Sequence, residues 1–160
     1  MSNRAEKLAA NLELGARSLA SFASKLTDSE WGRAVPKDGR KIGVIVHHVA
    51  TVYPLEIRLA QAIAKGDPVV GVNMDSIHKM NAGHAEENDA VTKEATIKLL
   101  NQNSADAATA IRALSDAQLD TAVTVSLYAD APLTCQFVLE DHAVRHSYHH
   151  LEKIRAALNS

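Results

Sequence analysis

The sequence contains little that would cross-link the chain or mark it for secretion. Its 160 residues include a single cysteine, Cys135, so no disulfide can form within the chain. The first ten residues carry charges throughout and lack the apolar run of a secretory signal. Together these absences predict a reducing, cytoplasmic location.

An excess of charge of one sign is also absent. The 17 Lys and Arg residues nearly balance the 19 Asp and Glu residues, which gives a formal net charge of −2. Nucleic acids and anionic lipids bind basic patches, so we expect neither a nucleic acid nor a membrane as a partner. The longest uncharged apolar stretch, residues 42–55, is also shorter than the roughly 20 residues that a membrane span requires.

Glycine and proline are scarce, at seven and four residues, and apolar residues recur at helical spacing over long windows. This pattern predicts an all-α protein, and the length suits one domain over residues 1–160. The architecture that fits is a four-helix bundle with short extra helices. We expect the helices at residues 3–26, 41–65, 75–87, 93–114 and 132–158.

The connections between these helices carry their own signals. Residues 27–41 contain Trp31, Pro36 and Gly39 and are predicted to form an ordered loop with one helical turn at residues 29–32. Thr92 and Ser115 are typical N-cap residues, the first for a long helix and the second for a short turn. Residues 121–128 are rich in β-branched side chains and are predicted to be extended.

Histidine is unusually frequent, with eight residues, and half of them lie on the last helix. At about 100° per residue, His146 and His150 share the face of the apolar residues Leu139, Ala143 and Ile154. Two histidines one turn apart on an inward face can bind one metal ion. His142 and His149 fall beside this face and are predicted to flank the pair.

The second long helix provides a third candidate ligand. His48 shares a helical stripe with aliphatic residues: Val44, Ile45, Val52, Leu55 and Leu59. His47 points about 100° away, so we expect a partly exposed helix residue there, with a place at the rim or behind a ligand as the functional alternative. Three protein ligands leave one coordination position open, as in catalytic sites. The alternative is that His48 is a core histidine bonded to a backbone carbonyl.

Other side chains are weaker candidates. Glu56 and Glu140 lie on the relevant helices and could hold a ligand N–H group, although ordinary solvated charges are the simpler interpretation. No neighbouring cation would activate Cys135, so we expect a buried structural thiol. The remaining expectations are a pocket mouth or an exposed surface for Asn81 and His84, packing for Trp31, and no assigned role for His78.

Three segments occur in an order that is shared with a known family. They are LTDSEWGRAVPKDGRKIGVIVHHVA, DSIHKMNAGHAEEND and RHSYHHLEKIR. In this order they resemble the DinB/YfiT-like superfamily, which implies an up-down-down-up four-helix bundle with a three-histidine metal site. The family context around the first ligand matches His48-Val49-Ala50, and the C-terminal pair matches His146 and His150.

The resemblance also implies a chemistry. It suggests a divalent metal ion, most often zinc or nickel, and a low-molecular-weight thiol as nucleophile or cofactor. We therefore expect a small-molecule substrate and a thiol-dependent S-transferase or isomerase. The near alternative is a metal-dependent hydrolase, and the alternative from another class is a non-catalytic metal-binding or stress-response module.

Two further points come from the family. Many relatives have Arg-Gly-Gln after the last ligand, whereas Leu151-Glu152-Lys153 stands there in this chain. This is closer to the subgroup related to the N-terminal domain of mycothiol-dependent maleylpyruvate isomerase, and it carries over no particular substrate. Homodimers are common among relatives, so a homodimer is also expected.

Overall fold

The structure is a computed structural model that describes residues 2–159. It is all-α apart from one short hairpin, as the spacing of apolar residues predicts. The helices are α1 (Asn3–Ser24), α2 (Asp28–Trp31), α3 (Ile42–Ala64), α4 (Met74–Glu87), α5 (Lys93–Arg112), α6 (Asp116–Asp120), α7 (Cys135–Val138) and α8 (Arg145–Leu158). The strands are β1 (Ala122–Val125) and β2 (Ala131–Thr134).

The ends of the helices follow local side-chain chemistry. The Thr92 hydroxyl accepts a hydrogen bond from the Ala95 N–H at the start of α5, as predicted. Ser115 and Gln118 form a reciprocal capping box at the start of α6. The long helices end within two residues of the expected positions, and α2 occupies the helical turn predicted in the first loop.

A turn of π-helix, Leu139–Val144, joins α7 to α8, so residues 135–158 form one continuous C-terminal helix. This helix runs parallel to α1. Arg4 near the start of α1 donates a 2.9 Å hydrogen bond to Gln136, while Arg155 near the end of α8 lies over the Phe22 ring.

The other two long helices run the opposite way. Arg112 at the end of α5 contacts Glu6 at the start of α1, with an Nε–Oε2 distance of 2.9 Å. Lys41 and Asp89 pair just before α3 and α5 begin, so these two helices start together and run parallel. The directions of α1, α3, α5 and the C-terminal helix are therefore up, down, down and up.

The sequence predicts that the last helix begins at Pro132, but in the structure it begins at Cys135. Residues 131–134 pair with β1 in an antiparallel ribbon, and Pro132 lies opposite Thr124. Thr134 caps the helix instead, because its side chain accepts a hydrogen bond from the Phe137 N–H. Proline suits both a helix start and a short edge strand, so local sequence did not distinguish the two.

One buried core lies between the long helices. Within it the Tyr53 and Ser147 hydroxyl groups share a buried hydrogen bond of 2.5 Å that joins α3 to α8. Leu55, expected to face inward, is instead 42% exposed. Among the described helices, none is both long and apolar enough to cross a membrane.

A glycine in α3 sets the packing of the first loop. Gly43 is buried, and a Cβ atom added to it would overlap the Trp31 indole, whose Nε1 donates a 3.0 Å hydrogen bond to the Val91 carbonyl. We expect Gly43→Ala to lower the free energy of unfolding by about 1–3 kcal/mol, because the anchored indole must move.

The matched control is Gly83→Ala in α4, where an added Cβ would have no neighbour within 4 Å. It should stabilise the protein by about 0.5–1 kcal/mol, as alanine does in an open helix position. Urea unfolding of both variants measures the difference. A Gly43→Ala variant that is as stable as the unsubstituted protein, or more stable, would contradict the close contact between Gly43 and Trp31.

Candidate metal centre

The structure brings together the three histidines that the sequence singles out. His48 from α3 and His146 and His150 from α8 each offer a ring nitrogen, and these atoms all lie within 4.8 Å of one another. His48 and His150 are only 5% and 7% exposed. The nearest pair of nitrogens is His146 Nε2 and His48 Nε2, which are 3.2 Å apart.

Burial keeps two of these rings neutral. It is the main cause that lowers the pKa of His48 to about 3 and that of His150 to about 2, and a positive charge on His146 would add to both shifts. A neutral imidazole keeps a free lone pair at neutral pH, which is the form that binds a metal.

A buried carboxylate orients the third ring. Glu56 Oε1 lies 2.7 Å from His146 Nδ1, and the two side chains are 10% and 17% exposed. Because an ionised carboxylate only accepts hydrogen bonds, His146 donates from Nδ1, and its Nε2 lone pair faces the other histidines. This carboxylate–histidine arrangement is common behind metal ligands. Glu56 therefore accepts from the N–H of a candidate ligand, His146, and it is one of the two carboxylates that the sequence offered for this role.

The donor set fits a divalent ion. Two nitrogens bound to one tetrahedral ion at about 2.0–2.1 Å lie about 3.3 Å apart, close to the separation of the two Nε2 atoms. Among the described residues, His150 Nδ1 is buried and has no hydrogen-bond partner. A buried nitrogen of this kind carries a cost, which an ion would remove if it took this atom as its ligand.

A second histidine pair borders the cluster. His47 Nδ1 lies 2.9 Å from His84 Nε2, and their rings stack with centroids 5.1 Å apart. The His84 ring also meets His48 edge-on at 5.6 Å. Burial lowers the pKa of both His47 and His84. His47 is thus half-buried beside the site, and His84 packs against it more closely than a pocket mouth would require.

Comparison with known families and structures fits this geometry. A sequence profile of the DinB superfamily matches residues 11–154, nine-tenths of the chain. The chain belongs to the DinB superfamily. This confirms the resemblance inferred from the ordered segments.

Two solved structures share the fold of this DinB-superfamily chain. YfiT from Bacillus subtilis, described as a probable metal-dependent hydrolase with an unusual four-helix bundle topology, has a TM-score of 0.78 at 18% identity, over 98% of this chain and 87% of its own. The mycothiol-dependent maleylpyruvate isomerase has a TM-score of 0.71 at 15% identity, over 96% of this chain. This chain spans 63% of that isomerase. No curated protein matches the sequence.

Other side chains proposed from the sequence of this DinB-superfamily member lie away from the centre. Glu140 is exposed and accepts a 2.8 Å hydrogen bond from Gln136 rather than from one of the candidate ligand histidines. Cys135 is fully buried, donates to the Ala60 carbonyl, and has its pKa raised to about 11 by burial. These contacts support a structural thiol.

The flanking histidines of the last helix line a shallow surface pocket. His142 and His149 border a cavity of about 240 Å³ together with His146 and His150. His142 Nε2 also lies 3.0 Å from the Tyr128 hydroxyl, which in turn bonds to Asp141. Both residues flank the site as predicted, and neither belongs to the group of converging nitrogens.

Replacing Glu56 by glutamine should weaken metal binding by about 10–100-fold, since the neutral amide holds His146 less firmly and makes it a poorer donor. The change keeps the size of a side chain that is 10% exposed. Zinc titration with a competing chelator gives the affinity. Glu140→Gln is the matched control and should match the unsubstituted protein; equal loss in both variants would contradict a specific role for Glu56.

Proposed function

We propose that this protein is a metal-dependent enzyme whose ion is held by His48, His146 and His150. The observation that carries the proposal is the convergence of three ring nitrogens from two helices within 4.8 Å. Three protein ligands leave a position for a reactant, which distinguishes catalytic from structural sites. The reaction class that we infer is transfer or isomerisation that depends on a small thiol, and the structural similarity to the mycothiol-dependent maleylpyruvate isomerase supports it.

The chain would contribute positioning and protonation control. His48 and His150 stay neutral because they are buried, and Glu56 fixes the tautomer of His146. A divalent ion in this set would supply a Lewis acid that lowers the pKa of a thiol or water at the open position. The only cysteine of the chain is a buried, high-pKa thiol, so the nucleophilic sulfur would come from a separate small molecule.

A hydrolase is the second candidate, and an unpaired carboxylate oxygen favours it. Glu56 Oε2 is buried and has no hydrogen-bond partner among the described residues, although Oε1 is bound to His146. A carboxylate oxygen without a partner can accept a proton from a water molecule. In this alternative Glu56 would act as the general base as well as orienting His146.

Cobalt substitution tests the thiol hypothesis. Addition of glutathione, mycothiol or bacillithiol to the cobalt-loaded protein should produce a thiolate-to-cobalt charge-transfer band for at least one of the three. The same thiol should then react with a chromogenic electrophile faster in the presence of the protein. His149→Ala is the matched control, because His149 lies on the same helix outside the converging nitrogens.

The outcomes separate the alternatives. Cleavage of an activated ester without any thiol, abolished by Glu56→Gln, would favour the hydrolase. Stoichiometric metal with neither a charge-transfer band nor hydrolysis would leave the non-catalytic metal-binding module and would overturn both enzymatic proposals.

A further inference from the structure

A cavity of about 760 Å³ lies beside the metal centre and has no part in the ligand set. It is formed by the loop before α3, by α4 and by the end of α8. Alanine side chains from both helices form much of its wall, and the charged groups around it are Lys37, Asp38, Arg40 and Lys153. The cavity is large enough for a small organic molecule.

Three of the charged groups in the wall form a hydrogen-bonded network around a buried carboxylate. The Asp38 carboxylate is 6% exposed and accepts hydrogen bonds from Arg40 Nε at 2.6 Å, Arg40 Nη2 at 2.9 Å and Lys153 Nζ at 2.8 Å. These contacts hold the pKa of Asp38 well below its usual range, and the hydrogen bonds from Arg40 are the largest cause. One carboxylate thus faces two cations, and the network keeps one unit of positive charge.

The cations retain hydrogen-bond donors that this network does not use. Arg40 lines the cavity, and one of the two N–H groups of its Nη2 is bonded to Asp38. Lys153 donates one of the three N–H groups of its ammonium group to Asp38, and its side chain is 39% exposed. A ligand with acceptor oxygens in the cavity could accept hydrogen bonds from these remaining donors.

The same network adjoins the histidines. Burial is the main cause of the low pKa of His48 and His150, and the positive charge of Arg40 contributes to both. Lys153 follows His150 by three residues on α8, so the two side chains lie on the same side of the helix. A molecule held by these cations would therefore lie next to the metal centre.

We propose that the cavity binds the carboxylate of a small monoanionic molecule, with Arg40 and Lys153 as its direct contacts. Asp38 is the positioning residue that holds both cations in the wall. A single carboxylate neutralises the positive charge that Asp38 leaves on Arg40 and Lys153, with the exposed Lys37 as a third cation of the lining. The alanine wall suits an apolar chain attached to that carboxylate, which inorganic phosphate lacks. That this molecule is the substrate or cofactor rests on the proposed function; the anion site itself needs no metal.

The test uses the intact protein stripped of metal, so that a carboxylate cannot bind to an ion. Butanoate is the probe, and butanamide is its neutral counterpart of the same shape. Side-chain nitrogen NMR of the arginines reports binding at Arg40. We expect saturable, millimolar binding of butanoate, no binding of butanamide, and weaker binding of inorganic phosphate.

Arg40→Gln should weaken butanoate binding at least tenfold, and Lys153→Gln several-fold. Because Arg40→Gln lacks the Arg40 side-chain signal, changes in backbone amide chemical shifts report butanoate binding to this variant. Lys153→Gln remains informative if Arg40→Gln does not fold. The matched control is Arg33→Gln, since Arg33 is an exposed residue of the same loop outside the cavity lining, and it should bind butanoate normally.

The inference is overturned if butanoate and butanamide bind equally, if phosphate binds more tightly than butanoate, or if butanoate binds only after metal is restored. Failure of the proposed function is a separate result. It would appear as carboxylate binding that persists in a protein which takes up no stoichiometric metal.

Discussion

Replacing His146 by alanine should abolish stoichiometric metal binding. The ring supplies one of three converging nitrogens and is the one oriented by Glu56, so its loss leaves two ligands without a fixed geometry. A metal present at 100 times its Kd stabilises the folded state by about 2.7 kcal/mol. In a chain of this size that corresponds to a rise in Tm of about 5–10 °C, which the variant should lose.

The measurement is metal content by mass spectrometry, on protein prepared without a His tag, together with Tm in the presence and absence of zinc or nickel. His149→Ala is the control, because it removes a neighbouring histidine whose ring lies 5.1 Å from His150 but outside the converging group. Unchanged metal content in His146→Ala would show that the ligand assignment is wrong.

Acidification should destabilise the metal-free protein strongly. Burial lowers the folded pKa of His48 to about 3 and of His150 to about 2, from an ordinary value of 6.5. Below pH 6.5 these two histidines therefore bind protons in the unfolded state but remain neutral in the folded state. The stability they contribute is fully present above that pH and is lost as the pH falls towards the folded values.

The expected slope is large. Each ring costs about 1.4 kcal/mol for every pH unit below 6.5, so the two together remove about 4 kcal/mol by pH 5. His47, His84 and His149 shift in the same direction and add to the loss. Urea unfolding of chelator-treated protein between pH 7.5 and 5 measures the slope.

A variant separates the buried rings from general acid effects. His150→Gln should reduce the slope of unfolding free energy against pH by about 1.4 kcal/mol per pH unit, the contribution of one proton. His78→Gln, at an exposed position of α4, should leave the slope unchanged. A free energy of unfolding that stays level between pH 7 and 5.5 would contradict the burial of neutral histidines.

The histidine positions were predictable because helical periodicity is a local property. His48 lies among Val44, Ile45 and Val52, and all of these are buried as their spacing indicates. In the same way, His146 and His150 follow the inward face that Ala143 and Ile154 define. Two helices with inward histidines can meet in only a few ways within one bundle, and the structure brings these rings together.

The parts that escaped prediction depend on contacts between distant segments. Glu56 and Glu140 looked alike as candidates, and only the antiparallel packing of α3 on the last helix distinguishes the buried one from the exposed one. The ribbon at Pro132 requires a partner strand that local preference does not reveal. Nothing in the local sequence singles out Asp38, Arg40 and Lys153, because the cavity that they line forms only when α8 reaches the first loop.

The π-helical turn at Leu139–Val144 bears on which length changes this chain can tolerate. A π turn holds one residue more than an α turn, because its hydrogen bonds reach five residues back instead of four. Loss of one residue there would tighten the turn to α-helical winding and leave the helix on either side facing α3 as before. Loss of one residue between His146 and His150 would instead rotate one ring by about 100° and dismantle the site.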